Sequence, residues 1–269
     1  MTIPAFRKAV WAYYEEHGRK DLPWRNTVDP YQILVSEIML QQTQVERVVP
    51  YYRKFVQRFP TIHSLARAPL ATVLRQWQGL GYNRRAKFLH AAAKDLVEKY
   101  AGHIPHDAAM LESIWGIGPY TAHAVMTFAL NHDAVFIETN IRTAVIYHFF
   151  ADKAEVADEE IANVLKKALP RGHARAWYSA LMDYGAHLKR EGVQLNEKTK
   201  GYTKQAKFSG SAREARGAIL KELAKRAATK SRLLGLLGDD RRDQLSAQLT
   251  KLVREDMVAK SGTRYHLPR

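Results

Sequence analysis

Apolar residues return every three or four positions along the first 190 residues of the chain. Phe6, Val10, Tyr13 and Tyr14 form one stripe; Ile33, Leu34, Ile38 and Met39 form another. That spacing places side chains on one face of an α-helix. Asp29 and Pro30 open the second stripe, and an acidic N-cap followed by proline in the first turn is a helix-start signal. Further stripes predict helices near 43–58, 70–78, 83–100, 118–131, 138–150, 158–168 and 173–190. Strand-like alternation is scarce, and Gly or Pro marks the short connections. The pattern predicts an all-α region over 1–191.

The periodicity stops near Gly192. Residues 192–211 (GVQLNEKTKGYTKQAKFSGS) read as a basic linker. Residues 212–227 then predict an amphipathic basic helix, 229–237 a short second helix, and 239–256 a third. This third helix starts with Asp239 and Asp240 at its positive end. The segment MVAKSGTRYHLP follows, with Ser261 and Gly262 at the turn of a hairpin. Three helices and a hairpin resemble winged-helix modules, whose third helix can enter a DNA groove. Residues 212–269 are therefore expected to form a small winged-helix-like C-terminal domain; a protein-contact module has the same pattern.

Charge narrows the partner. Of the 269 residues, 42 are Lys or Arg and 27 are Asp or Glu, a net +15. Residues 201–269 carry a net +9 and residues 1–200 a net +6. That excess suggests a polyanion, nucleic acid before a membrane. No run reaches the ~18 apolar residues of a membrane span. The opening MTIPAFRKAVWAYYEEHGRK lacks the apolar core and cleavage site of a secretory leader. The expectation is a cytoplasmic monomer, nucleoid-associated if bacterial. The hydrophobic content of 46% is enough for a packed core. Cysteine is absent, which excludes disulfides, thiolate zinc sites, a Cys nucleophile and a Cys-ligated iron–sulfur cluster within this chain.

Two Gly-x-Gly turns lie between helical stripes: Gly79-Leu80-Gly81-Tyr82 and Gly116-Ile117-Gly118-Pro119-Tyr120-Thr121-Ala122. The second is preceded by an amphipathic turn and opens a helix, which is helix–hairpin–helix grammar. Glycines let a backbone approach a ligand closely, and the first N–H groups of the next helix face outward, ready for a phosphate. Glu138 follows the apolar run Val135-Phe136-Ile137 and opens another predicted helix. The helix dipole there favours an ionised carboxylate; a simple capping acid fits the same position. Glu37 lies one turn from Ile33 and one turn before Gln41, at the margin of an apolar face. Partial burial there raises a carboxyl group's pKa and makes it a proton donor near neutral pH.

These segments are similar to the helix–hairpin–helix DNA glycosylase superfamily and, within it, to MutY-type adenine glycosylases. The resemblance rests on Gly18-Arg19-Lys20-Asp21-Leu22-Pro23-Trp24, on Ser36 to Val45 (SEIMLQQTQV), on the two Gly-x-Gly turns, and on Met182-Asp183-Tyr184-Gly185-Ala186. It covers about 180 residues, to about Leu188. It implies a bilobed all-α glycosylase domain that breaks the N-glycosidic bond of a mispaired base, adenine first, in double-stranded DNA. By resemblance, Glu37 is the general acid and Glu138 stands where the family has the aspartate that stabilises the sugar cation. Gln41, Gln42 and Tyr82 probe the base stack. Gly116, Gly118 and Thr121 belong to the phosphate-gripping hairpin. Tyr120 replaces the lysine that forms a Schiff base in endonuclease III-like relatives, which implies a monofunctional enzyme without lyase activity.

Three departures qualify the resemblance. Glu138 is one methylene longer than the family aspartate. The four cysteines that usually follow Ala186 are missing, so no iron–sulfur cluster is expected, and Lys189, Arg190, Lys198, Lys200 and their neighbours are expected to contact the backbone instead. Where the resemblance has a Nudix-like C-terminal domain, the shorter basic module is expected in its place. No metal is expected; the resemblance leaves room for a monovalent cation at the hairpin carbonyls. A T/U-mismatch or damaged-base glycosylase, or a catalytically inactive DNA-binding protein, remains open at this level.

Overall fold

The computed structural model describes residues 1–200 and 207–268. Residues 201–206 of the expected linker lie outside the described residues. Among the described residues, fourteen α-helices dominate: α1 (Ile3–His17), α2 (Pro30–Leu40), α3 (Val45–Arg58), α4 (Ile62–Arg67), α5 (Leu70–Gln76), α6 (Arg84–Tyr100), α7 (Ala108–Glu112), α8 (Pro119–Leu130), α9 (Thr139–Phe149), α10 (Asp158–Ala168), α11 (Ala174–Arg190), α12 (Ala212–Lys225), α13 (Lys230–Leu237) and α14 (Arg242–Arg254). The expected all-α class holds. Three short strands, β1 (Ala228–Thr229), β2 (Ala259–Ser261) and β3 (Arg264–His266), form a small sheet.

Local chemistry explains most helix starts. Asp29 caps α2: its Oδ1 accepts from the Tyr31 N–H at 2.9 Å, as the sequence predicts. Helix α4 was not anticipated. Its signal is a capping box in which Thr61 and Ser64 exchange bonds between side chain and backbone. Serine at the third helical position replaces the usual Glu or Gln and hides that signal.

The chain divides into two compact units, each discontinuous in sequence. One holds Met1–Leu34, His106–Glu112 and the described residues from Gly118 to Lys200. Its core joins α1, α8, α9, α10 and α11 around Phe6, Ile141, Val145, Leu165, Trp177 and Leu181, all fully buried. The close approach of α9 and α11 requires Gly185: a Cβ there would lie 1.9 Å from the Asn140 carbonyl oxygen.

The other unit holds Val35–Pro105, Ser113–Ile117 and the described residues from Lys207 onward. Here α4 and α5 pack on α6, and Phe55 meets Trp77 edge-on at 5.8 Å. Helix α12 packs on both α5 and α14. Strands β1, β3 and β2 pair antiparallel in that spatial order. Three helices, an antiparallel sheet and a turn at Gly262 reproduce the winged-helix order. Strand β1 adds a pairing that two residues, Ala228 and Thr229, are too short to announce by alternation.

Candidate active site

In the second unit, Glu37 opens the last turn of α2 and is only 5% exposed. The sequence predicts a carboxyl at the edge of an apolar face; the structure buries it among Val35, Ile38 and Met39, which are buried too.

The end of α2 is held by Arg85, on α6. Its Nη1 donates to the carbonyls of Ile38 at 3.0 Å and Met39 at 2.8 Å, and to that of Gln41. Its Nη2 donates to Thr43 Oγ1 at 2.9 Å and to the Gly81 carbonyl at 3.3 Å. The last carbonyls of a helix have no partner within it, and a guanidinium fork is suited to several at once. Burial lowers the Arg85 pKa to about 10, although the neighbouring Tyr82 works against that shift. Arg85 thereby ties together three predicted site elements: the helix bearing Glu37, the Gln41–Gln42–Thr43 turn, and the Gly79–Tyr82 turn. Within these, Gln42 is exposed and takes φ 55°, Gln41 is half-buried, and Tyr82 takes φ 46°.

Sequence reasoning missed Arg85. A signal existed: Arg85 sits four residues before Leu89 and seven before Ala92, on the buried stripe of α6. A charge on an apolar stripe asks for buried partners.

The hairpin turn passes from one unit to the other between Ile117 and Gly118. Gly116 has φ 91°, and a Cβ there would come 2.8 Å from the Phe88 Cβ, so glycine is required. Gly118 is the N-cap of α8, and a Cβ on it would meet nothing within 4 Å. Gly116, Gly118 and Pro119 are exposed. The start of α8 therefore presents backbone to solvent, as a phosphate grip needs.

In the first unit, Tyr120 is half-buried with its ring edge-on to Phe136 at 5.7 Å, and Thr121 is buried. Glu138 is the N-cap of α9. Its Oε2 accepts from the Asn140 N–H at 2.6 Å. Burial pushes this carboxyl above its ordinary value of 4.5; the N–H of Asn140 and the charge of Lys189 oppose that rise without cancelling it. The helix-dipole expectation of a readily ionised group is thus outweighed by desolvation. Lys189 lies half-buried on α11, and burial lowers its pKa while Glu138 raises it. Arg190 is exposed and donates to the Tyr13 hydroxyl at 3.2 Å.

The motif Met182–Ala186 works by packing. Asp183 accepts from Arg19 Nε at 2.7 Å, from the Arg19 backbone N–H at 2.9 Å, and from Arg25 Nη1 at 2.6 Å. Burial alone would raise this carboxyl, but Arg25 and Arg19 outweigh it and hold it below the ordinary range. Beyond α11, residues 193–200 pack locally. Asn196 is buried and accepts from Thr143 Oγ1 at 3.2 Å, while Lys198 Nζ donates to the carbonyls of Ala151 at 2.6 Å and Lys153 at 2.9 Å.

The chain has no cysteine, so its residues do not fit a thiolate-bound cluster. Among the described residues no His, Asp and Glu are grouped to hold a metal ion, and no helix is long and apolar enough to cross a membrane.

A family model described as HhH-GPD superfamily base excision DNA repair protein matches residues 35–171. The chain is 37% identical over 187 residues to an adenine DNA glycosylase of Buchnera aphidicola subsp. Baizongia pistaciae, covering 69% of this chain and 53% of that protein. It is 42% identical over 189 residues to an adenine DNA glycosylase of Mycolicibacterium smegmatis, covering 69% and 63%. The chain thus spans little more than half the length of the curated relatives it matches. Among solved structures, a thermostable thymine-DNA glycosylase aligns with a TM-score of 0.61 at 24% identity, covering 68% of this chain and 86% of that one. A non-covalent endonuclease III–DNA complex aligns with a TM-score of 0.57 at 19% identity, covering 68% and 85%. These two likenesses concern the fold.

Proposed function

Because the chain belongs to the HhH-GPD superfamily of base excision DNA repair proteins, we propose that it is a monofunctional DNA glycosylase. It hydrolyses the N-glycosidic bond of a mispaired base, adenine first, in double-stranded DNA. The observation that carries this reading is the contrast between two carboxyl groups. Glu37 is buried in the apolar end of α2, whereas Glu138 caps α9 with its carboxylate on the Asn140 N–H.

Such a contrast suits the reaction, which needs a proton on the leaving base and negative charge at the sugar. Glu37 donates a proton to the base as the C1′–N bond breaks. Glu138, ionised, stabilises the cation at C1′. Water adds to C1′ and gives up a proton, leaving a free base and an abasic site. Tyr120 has no amine, so no Schiff base forms and the strand stays intact.

The base must leave the stack to be reached. Gln41, Gln42 and Tyr82 stand on the turns that Arg85 joins and probe for it. Gly116, Gly118 and Thr121 grip a phosphate at the start of α8, where the family resemblance allows a monovalent cation at the hairpin carbonyls. Arg190 adds charge on the backbone, and Lys189 divides its role between that and Glu138. The protein acts as a cytoplasmic monomer, nucleoid-associated in a bacterium. It works without an iron–sulfur cluster, residues 193–200 filling the position after α11.

The test is a panel of duplexes, each carrying one defined mispair or damaged base, assayed for breaks before and after alkali. Adenine mispairs should break only after alkali, and Glu37→Gln should bind the same duplex without releasing the base. Unchanged release in Glu37→Gln overturns the catalytic assignment. Release of thymine or uracil in place of adenine turns the reading to the mismatch alternative, and breaks without alkali refute the monofunctional class.

A further inference from the structure

Aromatic rings and guanidinium groups alternate through the second unit. Arg85 Cζ lies 5.6 Å from the ring centre of the fully buried Trp77 and 5.3 Å from that of Tyr82. Arg213 Cζ lies 4.9 Å from the same Tyr82 ring and 5.4 Å from the ring of Phe208, which is 57% exposed. Arg213 also donates to the Tyr82 hydroxyl, across 131 positions of sequence. The order Trp77, Arg85, Tyr82, Arg213, Phe208 runs from the core to the surface.

Arg213 belongs to the first turn of α12, in the C-terminal segment, and that segment is anchored without it. Arg75 Nε donates to the Ala224 carbonyl at 3.0 Å. Glu255 pairs with Arg84 at 3.2 Å and with Arg216 at 2.6 Å, and Lys87 donates to its carbonyl. The segment thus has anchors besides Arg213, whose guanidinium reaches Tyr82. Tyr82 needs such support. It is a non-glycine residue in the left-handed region, a conformation that persists where surroundings over-determine it.

We propose that Arg213 is a positioning residue for Tyr82. The C-terminal segment, beyond any electrostatic grip, sets the angle of the ring with which the protein tests the base stack. Phe208 backs the guanidinium plane. This rests on the reading above, in which Tyr82 probes duplex DNA. A guanidinium can do this because it is planar and stacks on a ring while its fork bonds a hydroxyl; a lysine ammonium keeps the charge and loses the plane.

The experiment compares dissociation constants of the full chain for a duplex with one adenine–guanine mispair and for its fully paired counterpart. The preference for the mispair should fall about tenfold in Arg213→Ala and nearly as far in Arg213→Lys. Phe208→Ala should lower the preference less than either Arg213 variant. Lys221→Ala, which removes a charge from the same helix, should weaken both duplexes together. Melting curves identify any variant that fails to fold, and Arg213→Lys covers that case. Full preference in Arg213→Lys overturns the inference while leaving the glycosylase reading intact. A wild-type protein without preference for the mispair, or without base release, removes that reading and this inference with it.

Discussion

Arg85 Nη1 lies 2.8 Å from the carbonyl oxygen of Met39, two residues after the buried Glu37. The same guanidinium reaches the Ile38 and Gln41 carbonyls and the Gly81 carbonyl. One side chain therefore stabilises the end of the acid-bearing helix and joins it to the turn bearing Tyr82. Arg85→Met leaves these carbonyls without that donor, at a cost of about 2–4 kcal/mol, since each buried unpaired group costs roughly 1–3. Arg85→Lys should recover only part, because an ammonium cannot reproduce the fork. Denaturant unfolding measures the loss. Base release at a temperature where both variants are folded should fall further than stability alone explains, because the position of Glu37 loosens.

The Asp183 carboxylate is 2% exposed and bridges Arg19 and Arg25. Removing one partner from a buried charge cluster costs roughly 3–5 kcal/mol, which sets the expectation for Asp183→Ala. The pH sign follows from the lowered pKa. The carboxylate's contribution is present above its ordinary value of 3.8 and is lost as pH falls through the lower folded value. Wild type should lose stability through that acidic window, and Asp183→Asn should be weaker at neutral pH with a shallower acid limb. Thermal unfolding between pH 7 and pH 2 checks both.

Gly185 and Asn140 touch backbone to backbone. A methyl group at 185 would sit 1.9 Å from the Asn140 carbonyl oxygen, and neither helix yields cheaply there. Overpacking of this kind costs about 1–3 kcal/mol. The Asn140 N–H also holds Glu138. Gly185→Ala should therefore slow single-turnover base release even where the fold survives, and restoring Gly should restore it. A variant that loses stability but keeps its rate would separate the helix crossing from the carboxylate.

Glu138 has a raised pKa, and its ionised form is the one that stabilises the sugar cation. Base release should thus rise with pH on a limb centred above the 4.5 of an ordinary glutamate. Lys189 favours the carboxylate, so Lys189→Met removes an opposing charge and should move that limb to higher pH. A pH–rate profile of both proteins measures the displacement. No displacement would show that Lys189 does not act on Glu138.

Much of the site is legible along the chain. The cap at Asp29, the hairpin glycines, the acid at the start of α9 and the winged order after Ala212 are all local. They depend on hydrogen bonds within a few residues or on a periodic apolar face, and residue spacing records both. Arg85 and Asp183 were harder. Their partners lie 42 to 47 and 158 to 164 positions away for the bonds that matter most, apart from the nearby Gly81. The sequence offers Lys189 as a contact to the DNA backbone, and its half-burial and its charge coupling to Glu138 are visible only in the structure.

The sequence by itself determined an all-α chain, where most of its helices run, which carboxyl groups are candidates, and that no thiolate ligand exists here. Those follow from periodicity, capping chemistry and composition, each complete within a short window. Only the tertiary structure decided that burial raises Glu138, that Arg85 clasps the helix of Glu37, and that Arg213 reaches Tyr82. Desolvation and charge pairing depend on which distant groups packing brings within a few ångströms, and no local pattern carries that information.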